Sequence, residues 1–336
     1  MAEIWKKDRR YDLLKLYVDY CTRSSYSSLE VKNWDKVPQD APVMFIGNHS
    51  NTLLDAMLVL QAVPGECAFG ARADIFKNPK VAAFLRFLRI VPLARERDGL
   101  SAVAGNLAVF EEVVDCLGAG VPFCMFPEGT HRTKHSLLPF KKGAFRIAVQ
   151  AAAKFDKTVY MVPVGIDLED YFDYRKKCVM TVGDPIPVTA DSDMNELKKI
   201  AAERLSGLFT YFPDDENYDS AWAEYQAQHA KKPSVLDRLL LIPAVVALLL
   251  CLSCCWPMVV ISWVLCRRLK DKAWSNTMRF ASKLALLPFC TLGYAIPAFF
   301  QSIIWGVVAI FVPALTYGWF YELYNYIRFA IGRKNA

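Results

Sequence analysis

Hardly any acidic side chains occupy the last hundred positions of this 336-residue chain, although the whole carries 34 Asp and Glu against 40 Lys and Arg. Long apolar runs fill the same region, so the chain reads as two parts of different character. Also missing from the amino-terminal part is any block of basic residues interleaved with aromatics. Of the anionic partners that a net charge of +6 favours, this makes nucleic acid the weakest and leaves lipid headgroups and phosphorylated metabolites. The first twenty residues, MAEIWKKDRRYDLLKLYVDY, contain no apolar core of the kind a signal peptide needs. Paired cysteine spacing is lacking too: the ten cysteines are scattered or sit inside apolar runs, and CLSCC at 251–255 has no flanking His or second Cys pair. Reduced apolar thiols are expected, not a metal site or a disulfide framework. No Gly-x-Ser-x-Gly elbow accompanies Ser50, which excludes a Ser-His-Asp hydrolase of that kind, and no internal repeat is present.

What is there is an α/β rhythm. PVMFIGN, ECAFGAR, VPLARE, VPFCMFPEG, TVYMVPVGI and CVMTVGDPIPV read as short apolar strands. Between them, helical patterns cover 51–63, NPKVAAFLRFLRI, 99–118 closed by GAG, and 142–155. Strands of near-continuous apolar character call for a sheet buried on both faces. The expectation is a mixed sheet of at least five strands covered by helices, spanning residues 1–235. At its start, Leu13, Leu14, Leu16, Tyr17 and Val18 form a helical stripe beside Lys6, Lys7, Arg9 and Arg10. That pattern suits a helix lying on an anionic membrane surface or one packed on a core. An amphipathic helix from 191 and a polar segment to about 235 close this part.

Residues 236–336 read as an all-α membrane region. The stretch 239–266 has no charged residue and exceeds the roughly 20 residues that cross a bilayer once; 284–320 is equally uncharged and long enough for two crossings. Cationic clusters flank both: Lys231, Lys232 and Arg238, then Arg267, Arg268, Lys270 and Lys272, and finally Arg328, Arg333 and Lys334. All of them favour the cytoplasmic side. The expectation is therefore a shallow hairpin broken near Pro257, followed by two spans, with the α/β part on the cytoplasmic face. A straight crossing at 239–266 is the alternative.

One segment of the α/β part carries candidate chemistry. In FIGNHSNTLLDAMLV, residues 45–59, His49 precedes Asp55 by six positions. On an unbroken helix they would lie about 9 Å apart along the axis and roughly 120° apart around it, too far to touch. Ser50, Asn51 and Thr52 are good N-caps, so a helix can begin just after the histidine and leave His49 free to fold back over Asp55. The carboxylate would then fix the imidazole tautomer and raise the basicity of its other nitrogen, as a general base requires. A helix-start acid beside a polar loop residue fits the same spacing. MFPEGTHR, 125–132, ends a strand in a turn, and Lys141 and Lys142 precede a glycine and a helix, a setting that binds anions. Arg95 and Arg97 follow another strand, where a guanidinium fork suits a phosphate.

Together NHSNTLLD, VPLAR, FPEGT with LLPFKKGAF, and VPVGI resemble, in order and spacing, the four motif blocks of the glycerolipid acyltransferases, the family of glycerol-3-phosphate and lysophosphatidic acid acyltransferases. The resemblance covers about residues 40–190. It implies acyl transfer from acyl-CoA or acyl carrier protein to a glycerol phosphate acceptor, with His49 as general base and Asp55 as its orienting partner. It further implies Arg95 as a phosphate ligand; Glu128, Gly129 and Thr130 on the acceptor; and Pro163 in the wall for the acyl donor. Where the third block commonly has Arg after Thr, this chain has His131, and Arg132 stands one place on as its substitute, with Lys141 reinforcing the anion site. Five residues between His49 and Asp55, where the common form has four, resemble the subgroup acting on glycerol 3-phosphate or dihydroxyacetone phosphate. Glycerol 3-phosphate is therefore the expected acceptor, and lysophosphatidic acid or another lysophospholipid the alternative. A membrane scaffold that has lost activity is disfavoured by the intact His49, Asp55, Arg95 and Glu128. Because a thioester is already activated, neither a covalent nucleophile nor a metal or other cofactor is needed. The expected partners are membrane lipids and the two substrates.

Overall fold

The computed structural model of the protein describes residues 4–94 and 105–332. An eight-stranded mixed sheet organises the amino-terminal part: β1 (Ser28–Lys32), β2 (Val43–Gly47), β3 (Ala68–Arg72), β4 (Ile90–Leu93), β5 (Phe123–Met125), β6 (Val159–Leu168), β7 (Lys177–Val182) and β8 (Ile186–Val188). The spatial order is β1-β7-β6-β2-β5-β3-β4, with β8 beside β6. From β6 to β4 across β2, β5 and β3 every pairing is parallel, whereas β7 and β8 run antiparallel to β6 at its two ends. CVMTVGDPIPV was expected as one strand and is two. Pro185 offers no N–H to a ladder, and the Gly183 N–H leaves for the Pro163 carbonyl at 2.8 Å, so the chain breaks between β7 and β8.

The period of two along the central strands explains why both faces are apolar. Val43 and Phe45 of β2, with Val162, Val164 and Ile166 of β6, enter one core; Met44 and Ile46, with Val159 and Met161, enter the other. The second core is covered by α4 (Asn106–Gly118), α5 (Gly143–Phe155) and α6 (Met194–Ser206). Helices α1 (Arg9–Arg23) and α2 (Leu53–Ala62) cover the first, and α3 (Pro79–Phe87) joins β3 to β4. Of the helix expected over 99–118, residues 99–104 lie outside the described residues. Helix α1 fits both of its sequence readings: Tyr11, Val18 and Cys21 are buried, while Leu13 and Leu16 stay exposed. The polar segment before residue 235 contains one further helix, α7 (Tyr218–His229).

After a short α8 (Val235–Leu239), three helices among the described residues are long and apolar enough to cross a membrane: α9 (Leu241–Arg267), α10 (Ser275–Gln301) and α11 (Ile303–Ala330). Their outer surface is strongly apolar, with Ile242, Leu250, Trp263, Phe300, Ile303 and Trp305 all more than half exposed. The expected break near Pro257 is corrected, since α9 runs helically through it. The path is nonetheless bent. Ser262 shares a hydrogen bond with Tyr321, and the Tyr326 hydroxyl donates to the carbonyl of Asp237. A straight helix would separate residues 237 and 262 by about 37 Å, against about 7.5 Å between 321 and 326 on α11, a gap two tyrosine side chains do not span. The chain can turn where α8 gives way to α9 at Leu240, and at Pro257, which removes one backbone bond inside α9. Between α10 and α11 the chain turns at Ser302, whose extended backbone and hydroxyl cap the start of α11.

The two parts of the chain share one core: Phe280, Leu287, Tyr317 and Tyr321 join the cluster under α1 and α2. The start of α10 is buried although polar. Lys283, 1 % exposed, donates to the Cys21 carbonyl at 2.6 Å and to the Ser25 hydroxyl at 2.8 Å, which fastens α1 to α10.

Candidate active site

The site forms where β2 ends, at the carboxyl edge of the parallel strands, the edge at which open α/β sheets hold their ligands. Gly47 lets β2 reach it. A Cβ there would meet the Phe126 ring at 3.1 Å and the Val164 carbonyl at 3.2 Å, so a side chain fits only if these neighbours give way by a few tenths of an ångström. Asn48 then ends the strand by clamping β6: its amide donates to the Ile166 carbonyl at 2.9 Å and accepts the Ile166 N–H at 2.7 Å.

His49 follows in a loop, as the spacing requires. Its Nδ1 lies 2.8 Å from Oδ2 of Asp55, which is fully buried in the first turn of α2. The same oxygen accepts the backbone N–H groups of Ser50 at 2.9 Å and Asn51 at 2.8 Å. A carboxylate holding that set takes a proton-bearing Nδ1 and leaves Nε2 as the acceptor of the ring. The expected capping is corrected: no side chain of Ser50, Asn51 or Thr52 caps α2, and Asp55 reaches back to take the loop amides instead. Thr52 sits at φ +51°, strained for a β-branched residue, and its hydroxyl bonds Thr277 at the start of α10.

The third sequence block braces this loop. Glu128, 3 % exposed, accepts the His49 N–H on Oε1 at 3.0 Å and the Leu138 N–H on Oε2 at 2.9 Å, while Arg132 donates its backbone N–H to the His49 carbonyl at 3.0 Å. Burial pushes the Glu128 carboxyl up to about 7, against the lowering effect of the Leu138 and His49 amides. Both carboxylate oxygens of Glu128 are thus spent on backbone donors, so it shapes the site more than it offers a ligand. On the ring itself, Phe126 stacks with centroids 4.4 Å apart and His131 meets it edge-on at 5.8 Å.

The other sequence candidates spread around this centre. Gly129, at φ +72°, and Thr130 are exposed on the turn after Glu128, and Lys141 lies against Gly129 and gives its backbone N–H to the Pro127 carbonyl. The Arg132 guanidinium is taken up by Asp214 and by Ser136. Pro163 is buried inside β6 opposite Ile46, within the sheet and not on an open face. Arg95 lies outside the described residues. Among the described residues no group of three His, Cys, Asp or Glu side chains is placed to hold a metal ion, and all ten cysteines are free thiols. Sequence reasoning gave no role to Asn48, Phe126, Asp271 or Thr277. An asparagine directly after an apolar strand was the one available signal, because a buried amide there must find backbone partners.

The family model described as Acyltransferase matches residues 28–167, which runs from β1 through nearly all of β6 and contains every contact of the His49–Asp55–Glu128 centre. Those residues match an acyltransferase domain. Over 167 residues, 47% of this chain, it is 28% identical to 1-acyl-sn-glycerol-3-phosphate acyltransferase alpha of Ovis aries. It is also 30% identical over 137 residues, 38% of this chain, to glycerol-3-phosphate O-acyltransferase 2 of Saccharomyces cerevisiae, of which it covers 18%. The crystal structure of the 1-acyl-sn-glycerophosphate acyltransferase of Thermotoga maritima aligns with 60% of this chain and 82% of that one, at a TM-score of 0.45 and 23% identity. The chain spans about half the length of the Ovis aries relative, 54%. The match covers the strands from β1 into β6; α1, β7, β8, α6 and the membrane-length helices α9 to α11 lie outside the matched residues.

Proposed function

We propose that the protein transfers an acyl group from an acyl thioester, on coenzyme A or acyl carrier protein, to the free hydroxyl of lysophosphatidic acid. The observation that carries this reading is the buried Asp55 holding Nδ1 of His49, which leaves Nε2 to act as base. His49 takes the proton of the acceptor hydroxyl as its oxygen adds to the thioester carbonyl; the tetrahedral intermediate collapses, the C–S bond breaks, and the proton passes to the leaving thiolate. No covalent enzyme intermediate is required. The names of the curated relatives, among them that of Ovis aries, support lysophosphatidic acid as acceptor. Glycerol 3-phosphate is the second reading, supported by the name of the Saccharomyces cerevisiae relative and by the five residues between His49 and Asp55. In either case the acceptor phosphate meets the cationic rim of Lys141, with Arg95 as a further candidate.

The membrane region fits an interfacial enzyme whose product and acyl chain partition into lipid. We place Lys231, Lys232 and Arg238 before α9 and Arg267 to Lys272 after it on the same side as the α/β part, and assign that side to the cytoplasm. The deciding experiment is an acceptor screen of the purified protein with labelled acyl-CoA, comparing lysophosphatidic acid, glycerol 3-phosphate and dihydroxyacetone phosphate. Preference for lysophosphatidic acid is expected; labelling of glycerol 3-phosphate alone moves the assignment to the second reading.

A further inference from the structure

The segment that leaves α9 and enters α10, residues 268–277, touches both sides of the His49–Asp55 loop. On one side His131 Nε2 lies 2.9 Å from Oδ2 of Asp271, and the His131 ring meets Trp274 edge-on at 5.8 Å. Held there, His131 meets the His49 ring edge-on at 5.8 Å while Phe126 stacks on it. On the other side, Thr277 bonds the hydroxyl of Thr52, the strained residue between the base and its carboxylate. Neither contact is a by-product of a shared core. Asp271 is more than half exposed, and Thr52 and Thr277 are polar side chains buried against each other.

We propose that this segment is a strap by which the membrane helices set the position of the catalytic base. Asp271 and Trp274 act as positioning residues through His131, and Thr277 acts as one through Thr52. The inference rests on His49 being the base. Its physical content is that the strain at Thr52 and the edge-on packing of His131 persist only while the strap is seated. A loop that is over-determined from two sides keeps a reacting nitrogen in register; one released on either side loses rate without losing substrate affinity.

The test uses the full-length protein in detergent with wild type, Asp271→Ala, Asp271→Asn, Thr277→Val and His49→Ala. Turnover and KM are measured in one assay, with thermal unfolding beside them. In parallel, the rate of His49 carbethoxylation by diethyl pyrocarbonate is followed by mass spectrometry, a readout that needs no activity. Asp271→Ala and Thr277→Val are expected to lower kcat by about tenfold or more, with KM within about twofold and the unfolding temperature unchanged. Asp271→Ala is also expected to speed His49 modification several-fold, and Asp271→Asn, which keeps an acceptor, to recover most of both readouts. Unchanged kcat and unchanged modification, a loss confined to KM, or a loss that only tracks unfolding overturns the strap. If His49→Ala keeps full turnover, the reading of His49 as the base fails instead, and the modification rates still decide whether the strap holds that histidine.

Discussion

Oδ2 of Asp55 accepts three donors at once: Nδ1 of His49 at 2.8 Å and the backbone amides of Ser50 and Asn51. One buried atom therefore sets the loop shape and the tautomer of the histidine together. Loss of the carboxylate leaves the buried amides of Ser50 and Asn51, and the half-buried His49 Nδ1, without that acceptor. Asp55→Ala is expected to destabilise the protein by about 3 kcal/mol, at the upper end for buried polar groups, and to abolish acyl transfer. Asp55→Asn keeps the shape and is expected to lower kcat about 10²- to 10⁴-fold, the range for impaired acid–base catalysis. Thermal unfolding and steady-state turnover separate the two variants.

Glu128 supplies a pH prediction. Its carboxyl is raised from 4.5 to about 7 in the folded protein by burial, so the native state holds the proton more tightly than the unfolded chain. That contribution to stability is complete below about pH 4.5 and is lost as pH climbs through about 7. A rise of this size corresponds to on the order of 3 kcal/mol. Glu128→Gln has no such titration. Unfolding curves at pH 5 and pH 8 are expected to show wild type losing ground against the variant as pH rises; parallel curves would contradict the burial argument.

Gly47 links the strand to the base. An added Cβ meets the Phe126 ring at 3.1 Å and a backbone oxygen at 3.2 Å, and Phe126 is the ring on which His49 stacks. Gly47→Ala is therefore expected to cost about 1–3 kcal/mol in stability, as overpacking does, and to lower kcat more than that loss of folded protein explains. Turnover corrected for the folded fraction is the measurement.

Much of the fold was legible in the sequence because its strands, buried on both faces, read as unbroken apolar runs, and because His49 and Asp55 could meet only if a loop preceded α2. What escaped was long-range. That Glu128 would spend both oxygens on amides at residues 49 and 138 depends on a turn closing over a strand end, and nothing local to FPEGT announces it. His131 and Asp271 are 140 residues apart and meet through the connection between α9 and α10, which no local pattern announces. Pro257 was read as a break, but a continuous helix tolerates it, with Ser262 and Asp237 both tied to α11. Nor does any local pattern announce the burial of Lys283 at the polar start of α10, where the Cys21 carbonyl and Ser25 hydroxyl at the end of α1 satisfy it.

The most direct test of the central claim compares wild type with His49→Ala, purified in matched detergent, for transfer of a labelled acyl chain from acyl-CoA to lysophosphatidic acid. General-base loss predicts a fall of about 10²- to 10⁴-fold in turnover, with the unfolding temperature and membrane association of wild type retained. Turnover in the variant equal to that of wild type would contradict the account.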